Sequence, residues 1–124
     1  MCVLIVEDEL LIRMGLAIVL EDAGHEVICA QDGPAALALA ARHPGRFHAV
    51  VTDYHMPGGL TGADVVAELR QSYPTIPMFI VTAVTSLVSD PFRQQNRVSL
   101  VAKPYDADIL VDRVSREILE QQSR

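Results

Sequence analysis

Five short apolar runs, rich in Val, Ile and Leu, recur along the chain and restrict the folds open to it. They are residues 2–6, 26–30, 48–53, 78–81 and 98–102. An unbroken apolar run is typical of a strand that is buried on both faces, as in a parallel sheet. A segment with helical character follows each run, so strands and helices alternate. This alternation predicts an α/β fold, a doubly wound (βα)5 arrangement with five parallel strands.

Capping residues mark where the predicted helices begin and end. The first helix is expected over residues 9–23, and Gly24 stops it. Its apolar positions are Leu10, Leu11, Met14, Ala17, Ile18 and Leu20. The second, third and fifth helices follow the typical N-cap residues Asp32, Thr61 and Asp106.

The fourth helix departs from this regular pattern. Its segment, residues 84–95, contains Pro91. A proline in a helix interior removes a hydrogen bond and costs ~3 kcal/mol. We therefore expect a short, kinked or partly unwound element between the fourth and fifth strands.

Composition limits the class of protein. The chain, residues 1–124, is expected to form a single domain. Its net charge of −6 argues against direct nucleic-acid binding, which needs a basic face. No apolar run approaches the ~20 residues that span a bilayer. Because Met1 leads directly into the first strand, we expect no targeting segment. Cys2 and Cys29 lack C-x-x-C spacing, so we expect reduced, packed thiols in a cytoplasmic protein.

Polar side chains follow four of the five runs. Glu7 and Asp8 follow the first, Asp53 ends the third, and Thr82 and Lys103 follow the fourth and fifth. Ligands of open α/β sheets bind outside the carboxyl ends of the strands. We therefore expect these side chains to share one cleft. Lys103 is the only lysine beside nine arginines, which suggests a specific use for a compact ammonium group.

The chemistry of this set points to a phosphoryl group. Three carboxylates in one cleft repel one another unless a cation lies among them, and a few oxygen ligands with retained waters suit Mg²⁺. The cation, the ammonium of Lys103 and the hydroxyl of Thr82 could stabilise phosphoryl oxygens together. No cysteine and no Ser-His pair is placed as a nucleophile, whereas Asp53 can form an aspartyl-phosphate.

With these residues the chain resembles the receiver domain of two-component response regulators, the family that includes chemotaxis regulators. The matching motifs are Glu7-Asp8, Asp53 with Met56-Pro57, Thr82-Ala83 and Lys103-Pro104, in the family's order and spacing. The resemblance covers essentially the whole chain. It implies a flavodoxin-like fold with strand order 2-1-3-4-5, either as a stand-alone regulator or as part of a longer protein.

The resemblance also implies roles for individual residues. Asp53 would accept a phosphoryl group from a phosphohistidine on a sensor histidine kinase or a histidine phosphotransfer protein. Asp8 would bind Mg²⁺ directly and Glu7 through water, and Asp53 would be a further metal residue. The backbone carbonyl of His55 would complete the protein ligands.

Lys103 and Thr82 would contact the phosphoryl oxygens, and the bond before Pro104 would be cis. Such a domain is a regulatory phosphoacceptor and not an enzyme, since it catalyses only its own phosphorylation and dephosphorylation. Its downstream protein target is unknown from the sequence.

Two features depart from the family's pattern. The family usually has Tyr or Phe as a switch residue three positions before the lysine, and this chain has Leu100 there. Pro91 is the second departure. Both fall on the surface through which receivers usually signal and form homodimers, namely the fourth helix, fifth strand and fifth helix.

Two other classes of protein remain open. A phosphohydrolase working through an aspartyl-phosphate would turn over many substrates, and such enzymes often have an acid two residues after the nucleophile, where this chain has His55. A purely structural interaction module would never take a phosphoryl group. The intact acidic set argues against the module.

Overall fold

The computed structural model describes residues 1–123, which form five strands and five helices in alternation. The strands are β1 (Cys2–Val6), β2 (Glu26–Ala30), β3 (Ala49–Asp53), β4 (Met78–Thr82) and β5 (Val98–Ala102). The helices are α1 (Leu10–Asp22), α2 (Gly33–Arg42), α3 (Gly62–Ser72), α4 (Asp90–Asn96) and α5 (Ala107–Gln122), and a 3-10 turn (Thr85–Leu87) precedes α4. The predicted α/β class is confirmed.

The strands form one parallel sheet in the order β2-β1-β3-β4-β5, which confirms the implied topology. Every residue of β1, β3 and β4 is buried, and one apolar cluster lies on each face of the sheet. Burial on both faces explains why these strands are continuous apolar runs without alternation. The chain order reverses between β1 and β3, so the crevice beside these strands is the expected ligand site.

The predicted N-caps are confirmed. Asp32 accepts a hydrogen bond from the backbone of Ala35, and Asp106 accepts one from Ile109. Thr61 begins α3 with a complete capping box. Because a cap involves residues within one helical turn, the sequence alone could predict where these helices begin.

α1 has the predicted helical period, but most of the apolar side chains used to predict it do not face the core. Leu16 and Leu20 are buried, whereas four others are exposed: Leu10, Leu11, Met14 and Ile18. Leu11 is 82% exposed. The helix therefore has a second apolar face, although within residues 1–123 no helix has the length and apolar character needed to cross a bilayer.

The structure corrects the prediction for the fourth helix, because Pro91 does not interrupt it. Instead of interrupting a helix over residues 84–95, it lies in the first turn of α4. A backbone N–H in the first turn has no partner within the helix, so the lack of an N–H in proline costs nothing at this position. Ser89 caps the helix by accepting a hydrogen bond from Phe92. The element is short, as expected, because it begins late and not because it is kinked.

The two cysteines differ in their environment. Cys2 is buried in β1, but Cys29 is exposed on β2, and both thiols are free. The expectation of two packed thiols therefore holds for Cys2 alone. β2 is an edge strand and is only partly covered.

Candidate functional site

The hydrogen-bond ladders of the sheet continue past the strand ends and place the backbone of the site. These bonds join the N–H of Glu7 to the carbonyl of Ala30 (3.0 Å), Tyr54 to Val81 (2.9 Å) and Lys103 to Thr82 (3.0 Å). The backbone at Glu7, just after Asp53 and at Lys103 therefore leaves the sheet from a position that the neighbouring strand defines.

The three predicted carboxylates meet at this edge. Each of Glu7, Asp8 and Asp53 offers an oxygen, and these oxygens all lie within 4.8 Å of one another. Glu7 and Asp53 are only 6% and 9% exposed, whereas Asp8 is exposed. The cluster therefore has a buried floor and an open side.

Lys103 contacts one of these carboxylates, Asp53. Its ammonium nitrogen lies 2.9 Å from Oδ1 of Asp53, and the N–H of Tyr54 donates to the same oxygen at 3.1 Å. Burial alone would lower the pKa of Lys103, but its hydrogen bond to Asp53 and the charges of Asp53 and Glu7 outweigh that effect and raise it. The lysine therefore stays charged beside Asp53.

Glu7 is the member of the cluster whose carboxylate is least well accommodated as a charged group. Its Oε2 is buried without a hydrogen-bond partner. Burial, and then the charge of Asp53, raise the pKa of Glu7 to about 7. An unpartnered, buried carboxylate oxygen is relieved by a cation. Since all three donors are carboxylates, the set fits a hard divalent ion.

Thr82 lies at the end of β4, buried, with its hydroxyl engaged locally. The hydroxyl accepts a hydrogen bond from the N–H of Val84 at 3.1 Å and donates to the carbonyl of Val84 at 3.4 Å. Thr82 is thus linked directly to the segment that leads to α4.

The remaining predicted residues border the site. His55 is exposed in the loop after β3, with its ring edge-on to Tyr54 at 5.0 Å between centroids. The bond between Lys103 and Pro104 is cis. Leu100 is half-buried on β5 and packs against the core under α4.

Two residues that support the site were missed by the sequence analysis. Gly62 lies so close to β3 that a Cβ there would collide with the carbonyl oxygen of Asp53. Its N–H also donates to the carbonyl of Tyr54 at 2.8 Å. Arg13 donates to the carbonyl of Glu7 at 2.8 Å. The only sequence signal for Gly62 was a glycine directly after an N-cap. No sequence signal indicated that Arg13 would reach the carbonyl of Glu7.

The fold and the site define a class: a doubly wound α/β protein with a partly buried acidic cluster at the switch point of its sheet and a lysine beside that cluster. The family model of the response regulator receiver domain matches residues 3–115. The chain therefore belongs to the response regulator receiver domain family.

Curated relatives agree with this assignment. The response regulator protein FleR of Pseudomonas aeruginosa is 32% identical over 120 residues, covering 96% of this chain and 25% of FleR. A response regulator receiver protein of Anaeromyxobacter sp. is 36% identical over 110 residues, covering 88% of this chain and 45% of that protein. The chain spans less than half the length of these two relatives.

Solved structures show the same fold. Chemotaxis protein CheY4 of Vibrio cholerae has 31% identity and a TM-score of 0.81, covering 94% of this chain and 97% of CheY4. Response regulator protein TrrA of Thermotoga maritima, solved in complex with Mg²⁺ and BeF, has 29% identity and a TM-score of 0.79. That match covers 93% of this chain and 96% of TrrA.

Proposed function

We propose that Asp53 accepts a phosphoryl group from a phosphohistidine on a sensor histidine kinase or a histidine phosphotransfer protein. The observation that carries this proposal is the ammonium of Lys103, 2.9 Å from Oδ1 of Asp53, beside the acidic cluster. A buried carboxylate paired with a lysine and surrounded by further carboxylates is suited to phosphoryl chemistry, because the charges that develop have fixed partners.

The acidic cluster would hold Mg²⁺. Asp8 and Asp53 would be direct ligands, Glu7 would act through water, and the backbone carbonyl of His55 would complete the protein ligands. When bound, the ion would neutralise phosphoryl oxygens. The buried, unpartnered Oε2 of Glu7 supports a cation at this position.

In the transfer itself, a carboxylate oxygen of Asp53 forms a bond to phosphorus while the bond from phosphorus to the donor's imidazole nitrogen breaks. The electron pair of that bond stays with the imidazole. Lys103 balances negative charge on the phosphoryl oxygens. Thr82 reaches the group only by leaving its hydrogen bonds with Val84, and this exchange of partners starts the conformational switch.

A groove beside the site would receive the partner that carries the phosphohistidine. It measures about 530 Å³ and adjoins Lys103, with an almost entirely apolar lining that includes Leu11, Gly15, Pro104 and Tyr105. Because Lys103 lines the groove and also contacts Asp53, we assign the groove to that partner. Leu11→Glu should slow transfer from phosphorylated histidine phosphotransfer proteins but not from acetyl phosphate.

Leu119→Glu is the matched control for that test, because Leu119 is also exposed but lies near the end of α5. If both variants slow protein transfer equally, the groove is not the docking surface.

The rest of the proposal concerns context. Residues 1–124 would act as one receiver domain that regulates a downstream protein from the cytoplasm, without binding nucleic acid or membrane itself. A homodimer would use α4, β5 and α5. The domain is a regulatory phosphoacceptor and not a turnover enzyme.

Labelling with acetyl phosphate and Mg²⁺, followed by intact-protein mass spectrometry, tests the central claim. We expect one long-lived phosphoryl group per chain, lost in Asp53→Asn and on chelation of the metal. Asp112→Asn is the control, because Asp112 is exposed in an ion pair on α5. Labelling of Asp53→Asn at the wild-type rate would refute the assignment, and multiple turnover would indicate a hydrolase.

A further inference from the structure

The guanidinium of Arg70, on α3, connects two loops at the edge of the sheet opposite the acidic cluster. It donates to four backbone carbonyls, those of Tyr73 (2.9 Å), Ile76 (2.7 Å), Asn96 (2.8 Å) and Arg97 (3.2 Å). The first two belong to the loop between α3 and β4, and the last two to the junction between α4 and β5. One side chain therefore fixes the far end of α4 to the loop before β4.

The charge of Arg70 is compensated by these carbonyls and not by an acid. Among residues 1–123, no carboxylate forms an ion pair with it. Burial, and then the nearby charge of Arg97, lower the pKa of Arg70 to about 10. A half-buried guanidinium depends on its acceptors, so the four hydrogen bonds hold both loops firmly.

Arg97 strengthens the same connection. Its backbone is left-handed, with φ of 50°, and its side chain donates to the carbonyl of Pro74. Asn96, beside it, donates through its side chain to the carbonyl of Phe92. Arg97 thus ties the start of β5 to the loop before β4 by a second donor, and Asn96 closes the last turn of α4 on itself.

The other end of the segment between β4 and β5, next to Thr82, is held by fewer contacts. In residues 83–95 only Val88 is buried, and Val84 and Leu87 are about half exposed. The cap of α4 by Ser89 is local and exposed. The end next to Thr82 is held by one buried side chain, Val88, and by the hydrogen bonds of Val84 with Thr82. We call it the free end, in contrast to the fixed end at residues 96–97, which four hydrogen bonds from Arg70 hold.

From this asymmetry we propose that Arg70 is the pivot of the conformational switch. Residues 83–95 move at their free end when Thr82 changes partners, while Arg70 keeps residues 96–97 in place. The inference rests on the proposed function, since that function supplies the event at Thr82. Without the pivot, the movement of Thr82 would spread into the α4–β5 junction and would not be confined to one end of α4.

Hydrogen exchange with and without beryllofluoride, a phosphoryl mimic, tests the pivot. Arg70→Met keeps the aliphatic stem and removes every donor, and Arg70→Lys keeps the charge and removes the planar fork. Arg116→Met, at an exposed ion pair on α5, is the matched control. Exchange in β1 serves as an internal standard, so that global destabilisation is separated from local opening.

In the wild-type protein we expect the mimic to change exchange in residues 83–90 and to leave residues 96–98 unchanged. In Arg70→Met, exchange at the amides of residues 73, 75, 76 and 96–98 should rise about tenfold or more relative to β1, because hydrogen bonds to a charged group are lost. The mimic should then also affect residues 96–98. Arg70→Lys should fall between the two, and Arg116→Met should match the wild type.

Two results would overturn the pivot. One is a response to the mimic at residues 96–98 of the wild type as large as that at 83–90. The other is unchanged exchange in Arg70→Met. A mimic that protects nothing around Asp53 would instead refute the proposed function, so the two failures are distinguishable.

Discussion

The acidic edge of the sheet and the segment from residue 83 to residue 97 lie side by side but are built in opposite ways. Every residue of β1, β3 and β4 is buried, and Asp53 is held by the backbone of Tyr54 and by Lys103. By contrast, neither the 3-10 turn nor α4 has a buried residue. Thr82 belongs to both regions, as the last residue of β4 and the partner of Val84.

This difference separates two requirements of a switch. Chemistry needs groups held in fixed positions, which deep burial provides. Movement needs an element whose local opening costs little, which a short helix with few apolar contacts provides. A small change at Thr82 can therefore move residues 83–95 without disturbing Asp53.

The largest expected effect is the contrast in local stability. Amides of β1 and β3 should exchange through global unfolding, and those of residues 83–95 through local opening that is easier by about 3 kcal/mol or more. Hydrogen exchange read by mass spectrometry measures both. Equal protection of the two regions would remove the contrast on which the switch depends.

The next largest effect concerns the close contact between Gly62 of α3 and the backbone carbonyl of Asp53. Gly62→Ala must displace α3 or the carbonyl of Asp53, and we expect a loss of about 1–3 kcal/mol in the free energy of unfolding, as for other overpacked sites. Labelling by acetyl phosphate should slow as well. Gly15→Ala, whose new methyl group has no atom within 4 Å apart from its chain neighbours and the backbone of its own helix, should instead stabilise the protein by roughly 0.5–1 kcal/mol.

Denaturant titrations measure both glycine variants. If Gly62→Ala is as stable and as readily labelled as the wild type, the close packing of α3 does not position Asp53.

The acidic cluster should make stability depend on pH through Glu7. Its pKa of about 7 in the folded protein lies above its ordinary value of 4.5. The folded state therefore binds the proton more tightly, and this group's contribution to the free energy of unfolding falls as pH rises from 4.5 to about 7. Glu7→Gln should gain stability relative to the wild type across this window.

Thermal melts of metal-free protein at several pH values test this point. Mg²⁺ should reduce the difference between the wild type and Glu7→Gln at about pH 8, since the ion relieves the same carboxylate. Asp8→Asn should raise the melting temperature of the metal-free protein and abolish Mg²⁺ binding. A lower melting temperature with retained metal affinity would contradict the repulsion among the three carboxylates.

The smallest expected effect compares two helix caps. Thr61→Ala removes the capping box of α3, whose inner face is buried, and should cost about 1 kcal/mol of global stability. Ser89→Ala removes the cap of α4 and should cost less than about half of that globally, while local exchange in residues 90–95 rises. Equal global losses would mean that α4 folds and unfolds with the rest of the domain.

Much of this molecule was predictable because its signals are local. The apolar runs, the N-caps and the strand ends each involve a few neighbouring residues. Parallel pairing then brings Glu7, Asp8, Asp53, Thr82 and Lys103 to one edge without any further information. Both the fold and the gathering of three carboxylates and a lysine were therefore predicted correctly.

Other features depend on contacts between distant parts of the chain. The period of α1 predicts a helix, but two apolar faces compete, and only packing on the sheet places Leu16 inside and Leu11 outside. Pro91 is harmless because α4 begins at residue 90, which packing and the cap at Ser89 determine.

Gly62 and Arg70 show the same limit at the two ends of the sheet. The glycine matters because α3 crosses close to Asp53, and the arginine matters because two loops bring four carbonyls to one guanidinium. Neither of these contacts produces a periodic or compositional pattern in the sequence. Local patterns specify which elements form, whereas the side chain that holds two elements together is selected only when their surfaces meet.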